Sequence, residues 1–359
     1  MAPLTFAFEA DRRIRAAFLG TSGHAFRNFL PCFPFAPVEL VALWDPDEAR
    51  GAAFARQFGA ARAYTDLDAL FAEAKPEAVF IGVEGFEGDE PLNVSLAERA
   101  FAAGCHVWMD KPLAARVTTA QRLVALRDRA GRLGAVGMKT MYNPAHAKMR
   151  AIVRDPAFGR PVSFTVRYPL HVPAHAGMSL SAPEVRSCLG HIWHPLGTIQ
   201  MVLGPVRQMH CAPAPTGGGG AALATLADGT VGTMHFSAGQ AGTSPLERFE
   251  VVGEGANVVV DNAAHLTYYR KGSPGPYGRT PSYVTDDAHA PLHWEPEMSL
   301  GQLYNTSNFV QGYALSLIAF AEAVRDGTPV PFGTFEDAIA TLKVFEAFCA
   351  SPGVPVTIA

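Results

Sequence analysis

The 359-residue chain reads as an α/β protein in two domains. A doubly wound parallel sheet occupies residues 1–137, and an α+β domain with a mainly antiparallel sheet occupies 138–359. Three observations predict this. In the first third, short apolar runs alternate with helical patterns of roughly ten to fifteen residues, as parallel strands with crossover helices require. After residue 150 the pattern becomes short β-rich runs joined by Gly, Asn and Asp turns, as in an antiparallel meander. The length also exceeds what one core usually organises, at roughly 150 residues per domain.

The elements follow in order. Residues 14–19 (IRAAFL) form the first strand, closed by Gly20 and followed by a helical pattern from Ala25. Residues 38–44 (VELVALW) form the second strand, ending in Asp45-Pro46, and residues 47–58 a helix stopped by Gly59. Residues 78–82 and 106–109 are short buried strands, with a helix over 92–103 between them that closes at Gly104. A helix over 118–130 with Gly131 beyond it, and a strand over 135–138, complete the first domain. In the second, residues 162–168, 222–226, 231–236, 248–252, 256–260 and 266–269 are strands, and ADGT (227–230) and GEGA (253–256) are hairpin links. The stripe Ala314, Leu315, Leu317, Ile318, Phe320, Ala321 and Val324 has helical spacing and reads as core.

Composition excludes several classes. Lys+Arg number 29 against 33 Asp+Glu, a net charge of −4, where a nucleic-acid binder usually carries a basic face. Charged residues are only 17%, but no apolar run reaches the roughly 18 residues of a membrane span. The N-terminus lacks the pattern of a secretory signal. Five scattered cysteines, with no C-x-x-C pair, argue against a disulfide framework. A cytoplasmic location is expected, with neither nucleic acid nor membrane as partner.

The turn after the first strand carries a dinucleotide signal. Gly20-Thr21-Ser22-Gly23-His24-Ala25 departs from G-x-G-x-x-G in having Ser22 at the second glycine, with Gly23 beside it and Ala25 as the small third residue. Placed between strand and helix, its backbone N–H groups face a pyrophosphate. Asp45 ends the second strand, where a carboxylate binds ribose hydroxyls and repels a 2′-phosphate, so NAD is expected over NADP. Arg50, close by in sequence, keeps NADP open.

Residues 106–114 (HVWMDKPLA), after AERAFAAGC, resemble the G-k-h-V-l-c-E-K-P-l-a stretch of the Gfo/Idh/MocA oxidoreductases. Matches in the same order run through GTSGHAFRNFLP (20–31), VELVALWDPD (38–47), GMKTMYNPAHAKMR (137–150), FGRPVSFTVRY (158–168), PLERFEVVGEGANVVVDN (245–262) and QGYALSLIAFAEAVRDGTPVP (311–331). The resemblance implies an N-terminal Rossmann domain that binds NAD(P). It implies a C-terminal domain whose open sheet carries substrate on one face and often the oligomer interface on the other, hence a homodimer or homotetramer. The implied activity is hydride transfer between nicotinamide and a secondary hydroxyl or ketone of a sugar, cyclitol or related polyhydroxy compound. Relatives with other roles leave two alternatives: an NAD-retaining glycosidase-like enzyme using transient oxidation and elimination, or a non-catalytic dinucleotide-binding sensor.

Such hydride transfer needs a base for the hydroxyl proton and a cation for the developing oxyanion. Lys111, after a strand of the parallel sheet, suits either role, with Pro112 stiffening its turn and Asp110 in place of the family's glutamate. Relatives commonly carry D-x-x-x-H at a helix start, with the histidine as proton relay. In CLGHIWHP (188–195), His194 aligns with that histidine and Gly190 with the aspartate, so the carboxylate is missing. His191, three residues away, is a candidate substitute. Pro195 belongs in a helix's first turn, which puts both histidines where the helix dipole disfavours protonation.

Tyr142, Asn143, Arg167 and Tyr168 are further candidate substrate contacts, as are Trp294, Tyr304 and Asn308; Asn93 stands where relatives often have a cofactor-region histidine. His171, His175, His191, His194 and Cys188 are residue types that bind metals, but the first two lie in a proline-rich loop, and no metal is expected.

Overall fold

The structure, a computed structural model, describes residues 5–174, 177, 179–214, 218–272, 287–297, 307–350 and 353–358. It divides into two compact units, one of residues 1–142 and 307–342, the other of 143–306 and 343–359.

The first unit holds strands β1 (Ile14–Leu19), β2 (Val38–Trp44), β3 (Ala63–Tyr64), β4 (Ala78–Ile81), β5 (Phe86–Glu87), β6 (Glu90–Pro91), β7 (His106–Met109) and β8 (Gly134–Val136). Its helices so far are α1 (Glu48–Phe58), α2 (Leu67–Ala74), α3 (Leu92–Ala102) and α4 (Val117–Ala130). Six strands form one sheet in the order β3-β2-β1-β4-β7-β8, every neighbouring pair parallel; β5 and β6 make a separate hairpin. β1 therefore lies where the strand order reverses, the point at which doubly wound sheets bind ligands.

Helix boundaries follow local chemistry. Asp47 caps α1 by accepting from the Arg50 N–H, and Gly59 ends it in the left-handed region that glycine adopts without strain. The segment after the glycine turn is less regular than its pattern predicts. A π-helical turn (Ala25–Phe29) runs into a 3-10 stretch (Leu30–Phe35), because Pro31 and Pro34 supply no N–H for an α-helical ladder.

The second unit opens with α5 (Pro144–Arg154), β9 (Pro161–Tyr168), α6 (Pro183–His191) and α7 (Trp193–Leu203). Strands β10 (Val206–Pro213), β11 (Gly220–Leu226), β12 (Val231–Phe236), β13 (Arg248–Gly253), β14 (Asn257–Asp261), β15 (His265–Tyr269) and β16 (Leu292–Trp294) follow, and β17 (Pro355–Thr357) comes near the end of the chain. The nine strands run β16-β15-β14-β13-β9-β12-β11-β10-β17, antiparallel except for β9 with β12. Strict alternation gives two unlike faces. Phe164, Val166, Tyr168, Met234, Phe236, Phe249 and Val251 are buried on one, where α5 packs on β14 and α7 on β9. The other exposes Leu223, Val231, Val252 and Tyr269 at 55%, 46%, 37% and 45%.

The chain then returns to the first unit through α8 (Ser307–Val310), α9 (Tyr313–Asp326) and the start of α10 (Phe335–Ala350). The division thus differs from the expected 1–137 and 138–359. The apolar stripe of α9 belongs to the first unit's core: Phe320 meets Phe80 edge-on at 5.5 Å, and Trp108 donates its indole N–H to Ser316 Oγ. A core partner supplied from more than two hundred residues away is invisible to local pattern.

Candidate active site

In the first unit the glycine turn is built as its position requires. Gly20 has φ +103°, and a Cβ there would stand 2.6 Å from Val83 Cγ1 and 2.9 Å from the Gly82 carbonyl oxygen, so only glycine fits. Ser22, where the fingerprint has glycine, serves the turn itself: its hydroxyl accepts from the Ala25 N–H and donates to the Gly82 carbonyl, both at 3.0 Å. A Cβ at Gly23 would make only ordinary contact, with Arg27 at 3.5 Å.

A cavity of about 690 Å³ opens beside this turn, lined in part by Gly20, Thr21, Ser22, Trp44, Asp45 and Arg50. Asp45, 3% exposed, receives the Thr21 hydroxyl, the Arg50 Nη2 at 2.8 Å and the Asp47 N–H at 2.9 Å, while Arg50 Nε donates to Thr21 Oγ1 at 2.7 Å. Burial pushes the Asp45 carboxyl up; the Thr21, Arg50 and Asp47 donors outweigh it and hold the carboxyl below its ordinary value. The glycine-only cradle, the cavity and the ionised carboxylate at its end fit the adenosine half of a dinucleotide.

At the carboxyl end of β7 lie Asp110, Lys111 and Pro112. Asn93 on α3, buried, donates to the Asp110 carbonyl at 2.8 Å, while its own Oδ1 is buried with no hydrogen-bond partner, an acceptor suited to a ligand's donor. His24 Nε2 stands 3.9 Å from the Asp110 carboxylate, and Nδ1 meets the Asn28 amide at 2.9 Å. Burial lowers the pKa of His24 most; Asp110 and Glu84 raise it, Lys111 and Lys139 lower it, and the net position is below the ordinary value. The expected cofactor residues Gly20, Ser22, Gly23, His24, Ala25, Asp45, Asp110, Lys111 and Pro112 are thus grouped along one edge of one unit, at the ends of β1, β2 and β7.

In the second unit His194 is 8% exposed, its ring 5.8 Å from Tyr168 and 6.4 Å from His191. The two histidines do not share a helix start. His191 is in the last turn of α6, its Nδ1 2.9 Å from the Ser187 carbonyl, whereas His194 and Pro195 are in the first turn of α7. Two αR segments meeting at Ile192 replace the single predicted helix, so the two histidines stand on different segments.

Three expected substrate contacts engage polar groups within their own units. Tyr142 is buried and its hydroxyl donates to the Phe332 carbonyl at 2.7 Å within the first unit. Asn143, 1% exposed, caps α5 through the His146 N–H and donates to the Ala263 carbonyl. Arg167 leaves β9 on the face opposite Tyr168, as strand alternation demands, and donates to the Pro245 carbonyl. Trp294 lies beneath Lys148, and Asn308 donates to the Arg27 carbonyl. Tyr304 and His175 lie outside the described residues. Among the described residues no cluster of His, Cys, Asp or Glu could hold a metal ion, and burial pushes the Cys188 thiol well above its ordinary value. No described helix is long and apolar enough to cross a membrane.

Sequence reasoning missed Lys139, Gln311 and Tyr313. Lys139 Nζ donates to Gln311 Oε1 at 2.7 Å and sits 4.5 Å above the Tyr313 ring, which in turn meets His24 edge-on at 5.6 Å. The one local signal was a lysine just beyond a short parallel strand, the same placement as Lys111.

Comparison with known proteins bears on the first unit and on the fold. Residues 14–138 match the family described as oxidoreductases with an NAD-binding Rossmann fold. The chain is 37% identical to an uncharacterised oxidoreductase of Rhizobium meliloti over 120 residues, 33% of this chain and 34% of that protein. It is 26% identical to 1,5-anhydro-D-fructose reductase of Ensifer adhaerens over 204 residues, 56% of this chain and 59% of that protein. The matched segments span a third to three fifths of these relatives' lengths. An oxidoreductase structure from Thermotoga maritima superposes with a TM-score of 0.73 at 20% identity, covering 97% of this chain and 99% of that one, which establishes the shared two-part fold. Residues 14–138 thus match the NAD-binding Rossmann domain of the Gfo/Idh/MocA oxidoreductases.

Proposed function

We propose that the protein is a dehydrogenase or reductase that moves a hydride between NAD(H) and a secondary carbinol or ketone carbon of a sugar, cyclitol or related polyhydroxy compound. The observation that carries this reading is Lys111, set at the carboxyl end of β7 beside the Asp110–His24 pair, in the unit whose Gly20 cradle and Asp45 suit a dinucleotide. NAD is preferred because Asp45 is held ionised and would repel a 2′-phosphate.

When bound, the nicotinamide supplies the hydride acceptor or donor. The chain's own residues handle position and protons. In oxidation the carbinol C–H electron pair leaves as hydride while the hydroxyl proton is lost, and Lys111 steadies the oxygen as its charge develops. His194, at the α7 start with the Tyr168 ring 5.8 Å away, relays the proton towards solvent. Reduction reverses these transfers. The outer sheet face, with Leu223, Val231, Val252 and Tyr269 exposed, supports assembly into a homo-oligomer.

The test is absorbance of reduced nicotinamide across sugars, inositols and sugar acids. Net accumulation that falls at least about a hundredfold in Lys111→Ala is expected. Full turnover in that variant would refute the mechanism, and hydrolysis without net reduced cofactor would point to elimination chemistry instead.

A further inference from the structure

The segment that carries Lys111 is held on both sides by one short stretch of chain. Asn93 donates its amide to the Asp110 carbonyl at 2.8 Å, just before the lysine. Glu90, three residues earlier, grips the far side. Its carboxylate accepts the Ala115 N–H at 2.8 Å and the Thr119 hydroxyl at 2.6 Å. Between these anchors Leu113, Ala114 and Ala115 are buried, so the loop has little room to shift. Glu90 belongs to the β5–β6 hairpin, paired through Phe86–Pro91 and Glu87–Glu90. Two residues near it in the chain, Glu87 and Leu92, line the cavity beside the glycine turn. The hairpin is thus a wall of that cavity and, through Glu90, a clamp on the lysine loop.

We propose that Glu90 is a positioning residue that sets Lys111 through this clamp and ties it to occupancy of the dinucleotide cavity. This rests on the function proposed above and adds a residue that acts through the lysine, not on the substrate. A helix cap is the plainer role, because α4 begins with no side-chain cap and no acid in its first turn. A carboxylate there complements the helix dipole. Capping does not account for the bond to Ala115, which lies before the N-cap residue, Arg116, in the loop itself. Both bonds to the carboxylate are charge-assisted, stronger than a neutral side chain would make. Asp89 next to it meets Arg116 only at 3.5 Å, with both side chains exposed, so the grip is that of Glu90. The buried run after Pro112 carries any displacement at Ala115 back to Lys111 within four residues.

The chain has six lysines, so reductive methylation with isotope-labelled formaldehyde gives few dimethylammonium resonances, and methylation keeps the charge. The Lys111 signal is the one missing in Lys111→Arg. Spectra of wild type, Glu90→Ala and Glu90→Gln are recorded with and without NADH. Beside them are measured each thermal transition, and kcat and KM for the best substrate of the sugar and inositol panel. NADH should shift the Lys111 signal in wild type. In Glu90→Ala that signal should start from a different position and lose its response to NADH, while the other lysine signals stay. Turnover should fall about tenfold to a hundredfold in kcat, with KM within about threefold of wild type. In a Lys111→Ala background the same substitution should cost less than about twofold, because its effect passes through the lysine. Glu90→Gln, which keeps the side-chain shape, should give smaller changes in the same direction and replaces Glu90→Ala if that variant unfolds early. A Lys111 signal that is unmoved in both variants, or that still responds in full to NADH, overturns the proposal. So does a kcat loss as large in the Lys111→Ala background as in wild type. A displaced, unresponsive Lys111 signal with no turnover in any protein would uphold the clamp while refuting the dehydrogenase reading.

Discussion

Across a break of a single residue, Ile192, the rings of His191 and His194 come within 6.4 Å of each other from two different helices. Their surroundings are unlike. His194 is buried at a helix start against Tyr168, and His191 is exposed at a helix end. His194→Ala should therefore lower kcat by about a hundredfold to ten-thousandfold, as loss of a general base does, and His191→Ala by less than about tenfold. Steady-state kinetics of the two variants decide this; the reverse order would move the relay to His191.

Gly190, which the sequence resemblance sets opposite an aspartate, has room for a side chain: a Cβ built there meets nothing within 4 Å. Gly190→Asp should fold normally. A carboxylate one turn before His194 favours the imidazolium, so the acidic limb of the pH dependence of kcat/KM should rise by about one unit. An unmoved limb would show that the new carboxylate does not reach the relay.

Asp45, Thr21 and Arg50 form one hydrogen-bonded set at the adenosine end of the cavity. Asp45→Ser removes the ribose acceptor and frees the Arg50 guanidinium for a phosphate. NADH affinity should fall about tenfold to a hundredfold while NADPH affinity rises, read by nucleotide fluorescence titration. Parallel losses for both nucleotides would mean that Asp45 does not set the preference.

His106 links pH to stability. Burial, reinforced by Arg132 against the opposing Glu77, lowers its pKa to about 4, and its Nδ1 accepts the Leu133 N–H at 3.0 Å. The folded state holds the neutral ring while the unfolded chain protonates near pH 6.5, so the unfolded state binds more protons and stability falls as pH drops from 6.5 towards 4. Urea unfolding of wild type should lose more stability over that range than His106→Asn, by about 1–2 kcal/mol once solvent screening of the part-exposed ring is allowed for, levelling below pH 4. Parallel curves for the two proteins would count against the linkage.

Much of the site in the first unit was readable in order along the chain. β1, β2, β4 and β7 are short apolar runs, and Gly20 and Asp45 sit one residue past a strand and Lys111 two, so the candidate residues fall at strand ends. Ser22 departs from the fingerprint without loss because its hydroxyl caps the turn. Tyr142 and Asn143 are candidates by position in a resemblance and Arg167 by residue type, and neither reveals where a hydroxyl, an amide or a strand face is used. Tyr142 and Asn143 are consumed by carbonyl partners at Phe332 and Ala263, and Arg167 follows the pleat to the far face.

The sequence by itself determined the two sheet types, the dinucleotide turn and the lysine edge, because each is a local pattern of period, glycine and charge at a strand end. Only the tertiary structure decided that residues 307–342 complete the first unit and that Gln311 and Tyr313 fix Lys139. It alone showed that His191 and His194 stand on separate helices. Those outcomes depend on contacts between residues more than a hundred positions apart, or on a one-residue break in a helix, and neither leaves a periodic trace in the chain.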